Sequence, residues 1–237
     1  MSQNKISILS TGLLDDEFIR DAKAKEILVD VLPFIKTESI SSGPLQTEIQ
    51  ETLAKSATIV FTSSNAVEAV ASKLNGQKPD WKIFGIGHAT RRSVEKYFGE
   101  RTIIGTADNG KELAKAILDA NVSEVIFFCG DQRRDELPGS LIENKIGVKE
   151  IVVYKTIATA KKIEKKYDGI LFFSPSAVKS FFQENKLDDQ TILFAIGNTT
   201  ADEVKKISKN KIIISDTPDG KTVLKTAVEF FQNSIHH

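Results

Sequence analysis

The chain repeats itself about 110 residues apart, and that repetition constrains its fold more than any other feature. Ile59-Val-Phe-Thr-Ser-Ser-Asn-Ala-Val-Glu-Ala-Val70 returns as Ile170-Leu-Phe-Phe-Ser-Pro-Ser-Ala-Val-Lys-Ser-Phe181, an offset of 111 from Ile59 to Ile170. Phe84-Gly-Ile-Gly-His-Ala-Thr90 returns as Phe194-Ala-Ile-Gly-Asn-Thr-Thr200, offset by 110. Asn109-Gly110-Lys111 returns as Asp219-Gly220-Lys221, and each opens an apolar-periodic segment. Three landmarks in one order describe a duplicated domain rather than a solenoid unit. The 237 residues suffice for two domains of roughly 100 residues, each with its own core.

Short β-rich runs alternate with helix-length segments throughout. The runs are 6–9, 58–61, 82–86, 102–104, 124–129, 150–154, 169–173, 192–196 and 211–214, and helical patterns cover 44–55, 66–74, 111–118 and 222–231. This alternation predicts parallel sheets covered by helices on both faces, hence an α/β protein of two similar flavodoxin-like lobes. From Thr58 to Cys129 the pattern holds four strands, whereas after Lys166 it holds three. The run at 6–9 supplies the missing one, which makes that lobe discontinuous. Lobe 1 is then expected over 1–33 and 160–237 and lobe 2 over 38–152, with a two-stranded linker at 34–37 and 153–159.

Helix starts are marked by Ser63 or Ser64 before Asn65, by Ser174 before Pro175, and by Ser42 before Gly43-Pro44. The repeated hydroxyls Ser63, Ser64, Thr90, Ser174, Ser176, Thr199 and Thr200 therefore fall at strand C-termini, where helix caps are expected. In open α/β sheets that edge binds ligands, because helix N-termini present free backbone N–H groups there. The Gly85-Ile-Gly87 turn lacks the third glycine of a dinucleotide fingerprint, so no nicotinamide cofactor is expected. His88 reads as a solvent-facing residue at a helix start, and the charge run Lys161 to Lys166 as a solvated helix face.

Basic and acidic residues balance at 32 each, which removes the bulk electrostatic case for nucleic-acid binding. No apolar run approaches the ~18 residues of a membrane helix. Residues 1–10 lack the features of a signal peptide, and the expected location is cytoplasmic. Cys129 is the only cysteine, so it can form no intrachain disulfide or thiolate metal cluster; it reads as a buried small hydrophobe, and no metal site is expected. His236 and His237 read as the remnant of a purification tag.

Six motifs in order, Phe61-Thr-Ser-Ser-Asn-Ala-Val67, Gly87-His-Ala-Thr90, Gly130-Asp-Gln-Arg-Arg-Asp-Glu-Leu-Pro138, Val153-Tyr-Lys-Thr156, Phe173-Ser-Pro-Ser-Ala-Val178 and Ile196-Gly-Asn-Thr-Thr-Ala201, resemble the uroporphyrinogen-III synthase family. The resemblance runs from about Ile6 to Phe231. It implies a fold of two α/β lobes, one discontinuous, with the active site in the cleft. It also implies an enzyme of tetrapyrrole (haem) synthesis, a lyase that closes hydroxymethylbilane to uroporphyrinogen III with loss of water and inversion of ring D, without a cofactor. A monomer is expected, with transient contact to hydroxymethylbilane synthase as a further implication.

Tyr154 matches the family's linker tyrosine and is the expected acid for loss of water. Arg134 matches the arginine after the Gly130 strand end and could grip a carboxylate bidentately. Its alternative is a structural ion pair with Asp135 or Glu136, with Arg133 the less favoured carboxylate partner of the two arginines. Ser63, Ser64, Thr90, Ser174, Ser176, Gly197, Thr199 and Thr200 complete the expected substrate contacts. The chain departs from the family where Ser10-Thr-Gly12 replaces an arginine after the first strand and Asn198 replaces a proline. A non-catalytic two-lobed receptor for a small anion is the alternative reading, and a regulatory domain with the same fold but no activity is another.

Overall fold

The structure is a computed structural model that describes residues 5–235. Met1 to Asn4, His236 and His237, and with them the tag reading, lie outside the described residues. The chain divides into two compact units. One takes the chain up to Lys36 and again from Ile157 onward, and the other takes Thr37–Thr156.

The second unit is the simpler to follow. Strands β4 (Ala57–Phe61), β5 (Trp81–Ile86), β6 (Ile103–Ala107), β7 (Glu124–Gly130) and β8 (Gly147–Ala158) form a sheet in the order β8-β7-β4-β5-β6, with β3 (Ile35–Ser39) at the β8 edge. All pairings among β4 to β8 are parallel. Helices α2 (Gly43–Leu53), α3 (Ser64–Ala71), α4 (Gly87–Tyr97), α5 (Gly110–Asp119) and α6 (Glu136–Glu143) supply the crossovers. Side chains alternate along β4: Ile59 and Phe61 enter a core with Val67, Val70 and Phe128, while Val60 enters a second core with Leu113, Ile117 and Phe127. A strand buried on both faces explains why Ile59-Val-Phe61 reads as a continuous apolar run.

The first unit repeats this sheet from a different chain order. Strands β1 (Ser7–Ser10), β2 (Leu28–Val31), β9 (Gly169–Phe172), β10 (Ile192–Ala195) and β11 (Ile212–Ile214) lie in the order β11-β10-β9-β1-β2, all parallel. Helices α1 (Asp16–Ala24), α7 (Pro175–Glu184), α8 (Asn198–Lys205) and α9 (Gly220–Ile235) accompany them. Ile59 faces Ile83 and Ile126 in one sheet, and its repeat Ile170 faces Leu193 and Leu9 in the other. Thus β1 holds the place of β7, and β2 that of β8. With the edge strand β3 left aside, the chain visits strands in spatial order 2-1-3-4-5 in the first unit and 3-2-1-4-5 in the second. Those are the two common doubly-wound orders, and they differ only in where the chain enters.

Several local expectations are corrected. Leu28–Val31 and Ile35–Ser39 form two strands in a stretch where the sequence pattern placed no strand beyond the linker at 34–37. The run 161–166 is irregular rather than helical: Lys165 pairs with Asp30 at 2.7 Å and Lys166 with Asp188 at 2.8 Å. Ion pairs to neighbouring elements replace the solvated helix face. Thr90, Thr199 and Thr200 do not cap: α4 starts after Ile86 and α8 after Gly197, neither with a side-chain cap. Thr90 and Thr200 are instead buried beneath the first turns.

Candidate active site

Ligands bind doubly-wound sheets outside the strand C-termini at the point where strand order reverses. In the second unit that point lies between β4 and β7. The chain leaves β4 through Thr62 and Ser63 into α3, and leaves β7 through Gly130 to Asp135 into α6. Three expected site residues, Ser63, Tyr154 and Arg134, lie on this edge.

Ser63 caps α3: its backbone is extended and its Oγ accepts a hydrogen bond from Ala66 N–H at 3.2 Å. The same Oγ lies 3.1 Å from the hydroxyl of Tyr154, which comes from β8 on the far side of β7. The ring reaches across because Gly130 ends β7 without a side chain. A Cβ there would meet the Tyr154 ring and fall 2.7 Å from its hydroxyl. Gly130 is therefore required by close approach rather than by a turn.

Burial holds the Tyr154 phenol above its usual range near 10, with the Cys129 and Asp131 charges adding to the rise, while hydrogen bonds to Ser63 and Asn65 pull it back. The group thus keeps its proton at neutral pH. Ser63 can donate to the phenol oxygen, leaving the phenol O–H free to donate to a ligand and stabilising negative charge that develops on it. Cys129 is buried beside this point, and burial raises its thiol to about 11, as befits an inert packing group.

The two arginines divide the work. Arg133 grips Glu150 of β8 through Nε and through Nη2 at 2.9 Å, and its Nη1 bonds Asp135. Arg134 is exposed and has no ion pair among the described residues. The structural ion pair foreseen for Arg134 thus belongs to its neighbour, which leaves Arg134 available to an anion.

The first unit presents the corresponding edge. Ser174 caps α7 by accepting from Ala177 N–H at 3.1 Å, matching Ser63 residue for residue. Asn109 and Asp219 form a second matched pair, accepting from Glu112 and Thr222 N–H at 2.9 Å each. Ser64 and Ser176 sit in the first turns of α3 and α7, half-buried. Gly197 and the exposed Thr199 open α8, whose first N–H groups lack a side-chain cap. Backbone N–H groups at such ends suit carboxylates.

Recesses in the surface agree only in part with these edges. One of about 280 Å³, lined by Gly87, His88, Arg91, Thr106 and Glu112, opens at the ends of β5 and β6. The larger, about 650 Å³, lies at the opposite strand edge in the first unit, where Lys166 is committed to Asp188. Neither recess is lined by Tyr154 or Arg134, which stand on β8 and in the loop after β7. Among the described residues no helix is long and apolar enough to cross a membrane.

Sequence reasoning missed Gly130 as the floor of the site and the contact of Ser63 with Tyr154. The tight glycine, next to an apolar strand end, was the only available signal.

A family model described as uroporphyrinogen-III synthase HemD matches residues 16–225. The uroporphyrinogen-III synthase of Saccharomyces cerevisiae is 28% identical over 210 residues, covering 73% of this chain and 76% of the yeast protein. That of Chlorobaculum parvum is 23% identical over 236 residues, covering 90% and 93%. Among solved structures, a uroporphyrinogen-III synthetase from Helicobacter pylori shares the fold at 16% identity, with a TM-score of 0.67 over 95% of this chain and 99% of that one. A mutant uroporphyrinogen III synthase from Thermus thermophilus does so at 13% identity, with a TM-score of 0.64 over 96% and 99%.

Proposed function

The chain belongs to the uroporphyrinogen-III synthase family, and we propose that it cyclises hydroxymethylbilane to uroporphyrinogen III with Tyr154 as the acid that releases water. The observation that carries the reading is the protonated phenol laid over Gly130 and bonded to Ser63 at the reversal of strand order.

The hydroxymethyl group sits beside an electron-rich pyrrole. As its C–O bond breaks, the pyrrole nitrogen pushes electrons toward the carbon, and the phenol of Tyr154 passes its proton to the departing oxygen, giving water, a phenolate and an azafulvenium cation whose nitrogen keeps its proton. Ser63 donates to the phenolate oxygen as charge appears there. Closure for inversion first joins that carbon to the already substituted α-carbon of ring D; the bond from this α-carbon to the methylene bridge of ring C then breaks, the bridge re-forms its bond at ring D's free α-carbon, and the proton lost from that carbon restores the phenol. The bilane ionises readily, so holding it folded for the inverting closure is the larger task.

Arg134 takes a substrate carboxylate. The start of α3, with Ser63 and Ser64, offers hydroxyls and N–H groups to others of the eight carboxylates that the bilane carries, and Ser174, Ser176, Gly197 and Thr199 offer the same chemistry within the first unit. Thr90 and Thr200, buried in the first turns of α4 and α8, hold the starts of those two helices in shape. The working compartment is the cytoplasm, where the buried Cys129 thiol stays reduced.

Generating hydroxymethylbilane in the presence of the protein, then oxidising and separating isomers I and III, tests the reading. Isomer III is expected to dominate. Isomer I alone, as from the unassisted reaction, would leave the anion-receptor reading in its place.

A further inference from the structure

The ladder between β7 and β8 pairs Cys129 with Val152 and then Gly130 with Tyr154, so Val153 has no partner at that step. Bulges of this kind re-aim the side chains beside them. Successive strand residues normally face opposite sides. Here Ile151, Val153 and Tyr154 all pack against the same core cluster, so two consecutive residues share one face. The bulge has turned Tyr154 onto the side where Ser63 waits. The equivalent ladder of the first unit, β1 against β2, runs without a shift from Ser7–Leu28 to Ser10–Val31.

The loop after β7 is bonded to β8 on both sides of this irregularity. Asp131 N–H donates to the carbonyl of Tyr154 at 3.1 Å, and Thr156 N–H donates to Asp131 Oδ1 at 2.9 Å. One residue therefore fixes the backbone at Tyr154 and again two residues further on. Gln132 Nε2 donates to the Thr156 carbonyl at 3.4 Å, and Arg133 grips Glu150 below the bulge. Gly130 supplies the bare floor on which the ring lies.

We propose that Gly130 and Asp131 are positioning residues for the Tyr154 phenol: Asp131 holds the β8 bulge that turns the ring, and Gly130 admits it against Ser63. The proposal rests on the reading of Tyr154 as the acid. Asp131 acts as a hydrogen-bond acceptor toward Thr156, so an uncharged acceptor of the same shape should serve nearly as well.

Asp131→Ala, Asp131→Asn and Gly130→Ala, assayed for isomer III and examined by NMR with ring-¹³C tyrosine, test this. The Tyr154 resonance is assigned by its loss in Tyr154→Phe. Asp131→Ala is expected to lower kcat about tenfold with KM within about twofold, and to shift the Tyr154 resonance. Asp131→Asn should recover most of the loss, and Gly130→Ala should cost about 10²-fold. If Gly130→Ala fails to fold, the Asp131 pair decides alone. An unmoved Tyr154 resonance in Asp131→Ala, or equal damage from Asn and Ala, overturns the proposal. Full activity in Tyr154→Phe would remove the acid reading instead, while the resonance in Asp131→Ala would still show whether Asp131 places the ring.

Discussion

At the reversal of strand order both units lay an aromatic ring over a glycine, and the two rings are chemically opposite. In the first unit Phe173, in the loop after β9, covers Gly12, where a Cβ would come within 2.9 Å of the ring. Thr11 beside it turns its hydroxyl to the Leu171 carbonyl at 2.7 Å, so the polar groups there are satisfied internally. In the second unit Tyr154 covers Gly130 and presents a hydroxyl to Ser63. The two units share the sheet and the serine caps, but the rings come from different places, Phe173 from the position of Thr62 and Tyr154 from β8, which leaves one edge closed and apolar and gives the other a hydroxyl. The frame is a matter of packing; the phenol is a matter of chemistry.

The hardest blow to this comparison comes from exchanging what the rings do. Tyr154→Phe keeps the ring and removes only the proton, so kcat is expected to fall about 10²-fold with the fold intact. Turnover should persist, because the bilane ionises unaided. Phe173→Ala should do the reverse, costing about 2 kcal/mol of stability for a half-buried ring while kcat stays within about twofold. Comparable kcat losses in both would show that the apolar edge is catalytic too. The phenol is needed in its protonated form and burial holds it above about 10, so kcat should be level through neutral pH and decline only above about pH 10. Folding follows the same sign: a phenol whose folded value is raised contributes stability that is complete below the unfolded value and lost as pH rises through the folded one. A kcat profile falling between pH 6 and 8 would assign the acid to another group.

A smaller effect separates the adjacent arginines. Arg134→Ala should raise KM about tenfold, or ~1.4 kcal/mol, with kcat nearly constant, because a carboxylate held far from the reacting carbon is bound equally before and during reaction. Arg133→Ala frees Glu150 and Asp135 and should lower Tm more than it alters KM. Interchanged phenotypes would mean that the exposed side chain is structural and the paired one binds substrate.

The frame of both units was legible because its signals are local. Ile59 to Phe61 and Ile170 to Phe172 are short apolar runs, and Ser63 and Ser174 stand three residues before the N–H groups they cap. β2 and α1 escaped notice because Leu28–Val31 is a short edge strand with Leu28 and Asp30 exposed, and α1 buries only Ala22 fully. Thr90 and Thr200 looked like caps from composition, but Gly87 takes φ +75 and starts α4 three residues early. The contact between Ser63 and Tyr154 spans 91 residues and depends on a bulge that no periodicity announces. The family resemblance points to Tyr154, and the β8 bulge is what turns it.

The serine caps give the comparison at closer range. Ser63→Ala and Ser174→Ala each remove one helix cap and should each cost about 1 kcal/mol of stability. Only Ser63→Ala should also lower kcat, by a factor of a few, through loss of the hydrogen bond to the phenol. Equal kinetic effects from both would place Ser174 in the chemistry as well.

The smallest effect has the opposite sign. Ser180 Oγ is buried in α7 without a hydrogen-bond partner, the one such side-chain atom among the described residues. The offset that aligns Ile59 with Ile170 aligns Ser180 with Ala69, which is buried in α3 against the second unit's core. The first unit thus carries a hydroxyl where the second has a methyl, and an orphaned buried hydroxyl has lost its water without compensation. Ser180→Ala is expected to raise stability by up to about 1 kcal/mol in denaturant unfolding, with the slope and kcat unchanged. The reverse exchange, Ala69→Ser, should destabilise by a similar amount if the site is as dry in the second unit. A loss of stability in Ser180→Ala would mean that the hydroxyl has a partner in solution, and that the two helices differ in more than one oxygen atom.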